Sequence, residues 1–565
     1  MYIASLKDFK NEIMASLNPK TTALGTVFAK HLLRRSSFVY SKTIIDQFSI
    51  LTPAQALDLL FVDGALKLAL PSDPLEEVAL KNWTEVPSST KLPSAFLNQP
   101  RKRSIVTGWW WYNAINSPTI KYKISHFLST RFTIEKSVCG ASTYFYDHIR
   151  LLLFYASNGN YKELAKKMTL DNAMLIYLNN TSNTKSAPNE NYAREFLELF
   201  TIGKGPQIAA GNYTTFTEVD VVQAARVLTG FTTKQDRTGI DLTTGIPKGY
   251  NNFSSHDTKG SKVFSAAFGS ASIASASSAS GMDTELNAFV DMVFNQMATA
   301  KNICRKLYQY FVKTTITPEV ESDIISPLAN DLYANGYNIL PVLRRLLASE
   351  HFYDLDDSNA TNETIGGIIK SPIQQISELV TYLKASIPSP VDNPTEFYIN
   401  FWNSFVHDTF LISSNMILFD PDNVAGHPAY SQAPDFDKNW ISSSTLIAKY
   451  RLGESLLDGF NRIKGNANIQ AKINISDVIK NKGLISDASD PFVLTSELCN
   501  ALFAQNPDSD RVRYFMNSFL LQGLANFYWT NAWNSYLTNF NNSVVEPRLK
   551  LLVSKISSAP EAQIF

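Results

Sequence analysis

The segment NENYAREFLELF, residues 189 to 200, spaces Glu190, Arg194 and Glu198 four apart and sets Asn191 and Glu195 four apart on the adjoining strip of a helix. Two chemistries fit. One is a ladder of ion pairs along a helix surface. The other is a polar floor on which Glu195 or Glu198 acts as acid, base or metal ligand, because carboxylates on one face can converge on a point. Downstream, Asp220 and Arg226 bracket an apolar turn, and the loop SSHDTKG supplies His256, Asp257 and Lys259, which a loop aims more freely than a packed helix does. In the enzymatic reading Glu195 is a general base or a divalent-metal ligand with His256 and Asp257, and Arg226 or Arg305 stabilises a developing anion. In the structural reading the same groups brace helices as salt bridges.

Three further clusters carry charge or ligand atoms. His31, Arg34 and Arg35 form a basic group that either orients the first helix against an acidic face or binds phosphate. Arg305 and Lys306 either bind an anion or pair with the acidic helix 190 to 200. DPDNVAGHP offers Asp420, Asp422, Asn423 and His427, oxygen-rich enough for calcium or magnesium, but it lacks EF-hand spacing, so a rigid Asx-rich turn is the simpler account. The zinc-protease H-E-x-x-H, the phosphate-binding G-x-x-x-x-G-K-[ST], the dinucleotide glycine pattern and the G-x-S-x-G nucleophile elbow are missing from credible positions.

The elements that must position these groups read as helices. Leu51–Thr52–Pro53 opens one with a cap and a proline at its first position. SIVTGWWWYNAIN, KYKISHFLSTRFTI and STYFYDHIRLLLFYA follow, then YKELAKKM and a helix that Thr169 would cap. TEVDVVQAARVLTG begins with Thr217 and a capping Asp220. Residues 231 to 262 suggest a short hairpin near 239 to 250, and the Ala/Ser-rich 265 to 281 suggests a flexible surface loop. The expected fold is all-α: a large multi-helix, bundle-like body with long ordered loops. N-terminal helices occupy 1–70 and an irregular connection 71–104. A main domain covers 105–450, with loop insertions at 231–281 and 411–440, and a C-terminal helical extension, 451–565, packs on it.

Composition bounds the function. Lys plus Arg and Asp plus Glu total 51 each in 565 residues, so no global positive field attracts nucleic acid. Three widely separated cysteines exclude a zinc ribbon and a dense disulfide scaffold. No apolar run reaches the ~18 residues of a spanning helix. Charges interrupt MYIASLKDFKNEIMASLNPK before any export-signal core. The compartment stays open between the cytoplasm and, for a chain whose signal has been removed, the periplasm or exterior.

AKHLLRRSSF (29 to 38), LTPAQALDLL (51 to 60), NENYAREFLELFTIG (189 to 203), EVDVVQAARVLTGF (218 to 231), HDTKG (256 to 260), ICRKLYQYFV (303 to 312), KSPIQ (370 to 374) and FDPDNVAGHP followed by WISSSTL together resemble the domain of unknown function 1800 family. The resemblance runs from about 29 to 450 and leaves the last hundred residues poorly covered. Where the family has Gly-Trp-Pro, this chain has Gly426–His427–Pro428. The resemblance implies a mainly bacterial, helical and often exported protein of unestablished activity, whose gene often neighbours one of a sulfatase-like family, and hence an envelope or polymer-related partnership. It transfers attention to Glu190, Asn191, Arg194, Glu195, Asp220, Arg226, His256, Asp257, Lys259 and Arg305. Two functions follow: a binding or assembly scaffold for a protein or extracellular polymer, which the polar motifs favour because ionic braces explain them without a substrate, or a metal-assisted or acid/base hydrolase using Glu195 and His256.

Overall fold

GWWWY cannot turn three consecutive indoles toward one side of a helix, so the helix carrying it has to be surrounded. In the computed structural model, which describes residues 15–78, 81–85, 98–234, 236–356, 362–459, 466 and 468–565, this helix is Gln99–Ile115, and Trp109, Trp110 and Trp111 are all buried. Each indole N–H finds an acceptor on a different neighbour: Leu68 O at 2.7 Å, Ser125 Oγ at 3.1 Å and Ser377 Oγ at 2.9 Å. Gly108 permits the close approach of Trp402, since a Cβ there would lie 2.8 Å from the indole Cδ1.

Ser142–Asn158 and Glu396–Leu411 pack against this helix, and Lys121–Ser129 and Pro372–Tyr382 meet it through Ser125 and Ser377. The protein is predominantly helical, with strands confined to short antiparallel pairs among the described residues. One apolar cluster extends from Ala15 to Ala562, and Ser443–Asp458 packs against Val545–Ser557 to draw the C-terminal helices onto it. No helix of the described residues is long and apolar enough to cross a membrane.

Local signals set most boundaries. Thr52 and Gln55 make a reciprocal capping box at Pro53–Leu60. Asp220 Oδ2 accepts from the N–H of Thr217 at 2.8 Å, as its position predicts, and Ser442 caps Ser443–Asp458. Other expectations change. Asp171, not Thr169, caps Asn172–Tyr177, because a carboxylate is the stronger acceptor for the N–H of Met174, here at 2.8 Å. The Ala/Ser stretch is ordered: Lys262–Val263 pairs with Ser272–Ile273, and Phe268, Ile273 and Ala276 enter the core. Its few apolar residues suffice to pin it. The hairpin forms with its strands at Phe231–Thr232 and Tyr250–Asn251. The Pro-containing segment 387 to 400 passes into a wide-turned helix, Glu396–Leu411, which carries Trp402. Much of the irregular connection at 71 to 104 lies outside the described residues, and the helix already starts at Gln99.

Candidate functional site

The residues that the sequence singles out lie in ion pairs and caps. Arg194 reaches Glu218 at 2.7 Å and Glu190 at 3.1 Å, while Asn191 is exposed. Asp220 spans the Thr217 cap and both the N–H and hydroxyl of Ser265, each at 2.7 Å. Arg226 Nε donates to Asp257 Oδ2 at 2.9 Å and its guanidinium also donates to Lys259 O, whereas the Lys259 residue is exposed. His256 is buried, with Nδ1 against Thr229 O at 2.8 Å and Nε2 against Glu285 Oε2 at 3.0 Å; Lys262 Nζ completes the group 2.6 Å from Glu285 Oε1. Arg305 pairs with Glu321 at 2.8 Å rather than with the acidic helix. His427 Nε2 meets Ile417 O at 3.0 Å, and burial lowers its imidazole to about 4. The DPDNVAGHP loop is held by Asn423, whose side chain accepts from the N–H of Ala425 at 2.9 Å, an Asx turn.

Glu195 stands apart. It is half-buried at the point where Asn191–Glu195 widens into the looser turn Phe196–Phe200, and burial, then the neighbouring Glu198 charge, raise its carboxyl to about 7. Among the described residues no hydrogen bond or ion pair joins it to His256, Asp257 or Arg226. No group of three or more His, Cys, Asp or Glu among them is placed to hold a metal, so Glu195, His256 and Asp257 are not assembled as the ligand set considered from sequence. His256 and Asp257 are each satisfied by nearer partners, Glu285 and Arg226.

A different set converges. Arg35, at the end of Gly25–Ser36, Lys123 on Lys121–Ser129, Arg131 just beyond that helix and Lys306 on Met297–Phe311 line one cavity of about 40 Å³. This is room for about three waters. Asp437 also lines it, with Oδ1 accepting from Thr314 Oγ1 at 2.9 Å and Oδ2 from the N–H of Ile369 at 2.7 Å. An aromatic wall closes one side, where Tyr430 packs 5.7 Å from Tyr310 and 5.6 Å from Trp440, ring centre to ring centre.

The cations here lack carboxylate side chains as partners. Among the described residues none of the four makes an ion pair with an acidic side chain. Arg35 is 2% exposed; its Nη2 donates to Thr364 O at 2.7 Å and Phe565 O at 2.6 Å and its guanidinium stacks on the Phe565 ring, but its Nε and Nη1 have no hydrogen-bond partner among the described residues. Lys123 Nζ donates to Gln374 Oε1 at 2.5 Å and sits 4.4 Å from the centre of the Phe38 ring. Lys306 Nζ reaches Gln309 at 3.2 Å, and Arg131 makes only long contacts, to Thr130 at 3.3 Å and Tyr430 O at 3.4 Å. Burial lowers Arg35 to about 9 against the pull of the Asp437 and Asp354 charges, and burial reinforced by neighbouring cations lowers Lys123 and Lys306 to about 7. By contrast, Arg34 and Lys370 share the buried Glu378, at 2.7 and 3.0 Å. The two readings of the first basic cluster are thus divided between adjacent residues: Arg34 orients the helix against an acid, and Arg35 faces the cavity.

Arg35 and Lys306 carried a signal in the sequence, as members of basic clusters that could hold an anion. Lys123 and Arg131 carried none, being isolated cations in or beside an aromatic helical segment.

Among protein-family models, one described as a protein of unknown function (DUF1800) matches residues 31–564. The match therefore includes the C-terminal helices, which the motifs left poorly covered. No curated protein and no solved structure matches the chain.

Proposed function

The chain belongs to the DUF1800 family, and from that premise we propose that it is a binding protein whose buried cavity receives an anionic group of its ligand. One observation carries the reading: Arg35, Lys123, Arg131 and Lys306 face a common space where, among the described residues, Asp437 is the one acidic side chain, with two Arg35 nitrogens lacking a hydrogen-bond partner. Buried polar groups are normally hydrogen-bonded, and a buried charge is costly unless paired. An anion in the cavity supplies the missing partner. The family motifs support the same place. Four of the eight meet there: AKHLLRRSSF through Arg35, ICRKLYQYFV through Lys306 and Tyr310, KSPIQ through Ser371, and the last through Trp440.

The test is thermal unfolding of the full chain with a panel of organic and inorganic anions at constant ionic strength. A ligand at ~100 times its Kd stabilises the native state by about 2.7 kcal/mol, and a roughly tenfold loss of affinity in Lys306→Met should cut that gain to roughly half. A panel that shifts neither protein nor variant refutes the reading.

The acid/base reading retains one supporting observation, the raised proton affinity of Glu195. It proceeds without His256, whose nitrogens both have buried partners. Its test is hydrolysis of ester and glycoside substrates by wild type and Glu195→Gln; equal rates refute it.

A further inference from the structure

The charge, direction and number of the free donors in the cavity narrow the kind of anion. Arg35 and Arg131 face one side-chain carboxylate whose oxygens are both engaged, and protonation of Lys123 and Lys306 raises the formal excess from one positive charge to three. A singly charged ligand compensates only the first of them. The donors also come from separate directions: Arg35 from the end of the first helix, Lys123 and Arg131 from within and beyond the helix Lys121–Ser129, and Lys306 from Met297–Phe311. The unpaired nitrogens of Arg35, Nε and Nη1, are not the adjacent Nε–Nη2 edge, because Nη2 already serves Thr364 O and Phe565 O. The side-on fork that grips a planar carboxylate is therefore broken, and separate oxygens are needed to satisfy the two ends. Lysine and arginine only donate, so the ligand has to be rich in acceptors. Room for about three waters admits one compact group.

Resting on the anion-binding reading above, we infer that the cavity takes a doubly charged tetrahedral oxyanion, a phosphate or sulfate, either free or as the terminal group of a larger molecule. Its oxygens radiate in three dimensions, as the donors do, and its two charges offset most of the excess.

Occupancy should be linked to proton uptake. Lys123 is faced by Arg35 from the first helix, by Glu378 from Pro372–Tyr382 and by His126 on its own helix. Lys306 is faced by Arg131 and Arg305, and Asp437, Tyr310 and Tyr430 line the same space. Cations dominate both neighbourhoods, and burial adds to their effect, so each lysine is largely neutral at pH 8 in the empty cavity. A dianion favours the charged forms and draws protons in.

The experiment is isothermal titration calorimetry of the full chain at pH 8 with sodium sulfate, sodium phosphate and sodium acetate. Ionic strength is held constant with sodium chloride, and each titration is repeated in two buffers of different ionisation enthalpy. Sulfate and phosphate are expected to bind at least roughly tenfold more tightly than acetate, a difference that calorimetry resolves, with net proton uptake. Arg35→Gln and Lys306→Met should each weaken the tetrahedral anions by a similar factor; Lys306 is half-buried and, among the described residues, hydrogen-bonded only to Gln309, so its variant should retain the fold. Acetate binding as tightly as sulfate, with the same dependence on Lys306, overturns the tetrahedral assignment and leaves the anion-binding reading standing. Saturable binding of no anion, or binding indifferent to both substitutions, overturns the anion-binding reading itself. A sugar sulfate and a sugar phosphate, run alongside, separate the sources: tighter binding than the inorganic ion marks a terminal group, and weaker binding marks the free anion.

Discussion

Lys123→Met should stabilise the empty protein at neutral pH. The Lys123 amine is fully buried, without a carboxylate within salt-bridge reach, and burial, then the Arg35 charge, lower it from 10.5 to about 7. The unfolded chain therefore binds more protons than the native state between those values, so native stability rises with pH across that window. At pH 7 the linkage amounts to about 4 kcal/mol of lost stability, and at pH 10 to about 1 kcal/mol. Methionine keeps the unbranched body and removes the charge. It leaves Gln374 Oε1 without its donor, at about 1–3 kcal/mol, and forfeits the contact with the Phe38 ring, at about 0.5–2 kcal/mol. The net effect at pH 7 is a gain of about 1 kcal/mol, and between pH 7 and pH 10 the wild type should recover about 3 kcal/mol relative to the variant. Guanidinium unfolding of both proteins at the two pH values measures this. A variant destabilised equally at pH 7 and pH 10 would refute the reasoning, because Lys123 would then bear no uncompensated charge.

Other expectations concern the braces and the core. Gly108→Ala sets a Cβ against the Trp402 ring and should cost about 1–3 kcal/mol, relieved in part by adding Trp402→Phe; equal unfolding midpoints for wild type and Gly108→Ala would show that the ring yields freely. Glu285→Gln leaves buried Lys262 without its counter-charge, at about 3–5 kcal/mol, and adding Lys262→Met should recover much of that loss in the same unfolding assay. Burial opposes ionisation of Glu285 and Glu378, yet His256 and Lys262, and Arg34 and Lys370 respectively, hold both carboxyls below the usual range. Their contribution is present above the ordinary carboxylate pKa and is lost as pH falls through the folded values, so Glu378→Gln should flatten the acid limb of the stability profile. Glu195 has the opposite sign: its raised carboxyl weakens the native state as pH rises from the ordinary value toward 7, and Glu195→Gln should abolish that slope with the fold intact by circular dichroism.

The sequence by itself determined the helical class and most helix starts. These rest on contacts within three or four residues: Thr52 with Gln55, Asp220 with Thr217, Ser442 with Thr445. The same locality made Arg194 with Glu190 legible as a pair. Partner choice was not legible beyond that range. Arg305 turned to Glu321, and His256 to Glu285, a residue inside the helix Ala279–Phe294. The ordering of 265 to 281 was equally hidden, because Phe268 and Ile273 count as core only once a core stands beside them. The cavity is the extreme case. Arg35, Lys123, Arg131, Lys306 and Asp437 are strung across some four hundred residues, each with an ordinary local role open to it as a solvated charge. Only tertiary packing decided that Arg34 would meet Glu378 while Arg35, the next residue, would turn about 100° around the helix toward a space without a paired acid. Charge in a sequence is read one residue at a time, whereas its cost and its use depend on what else is buried within a few ångströms.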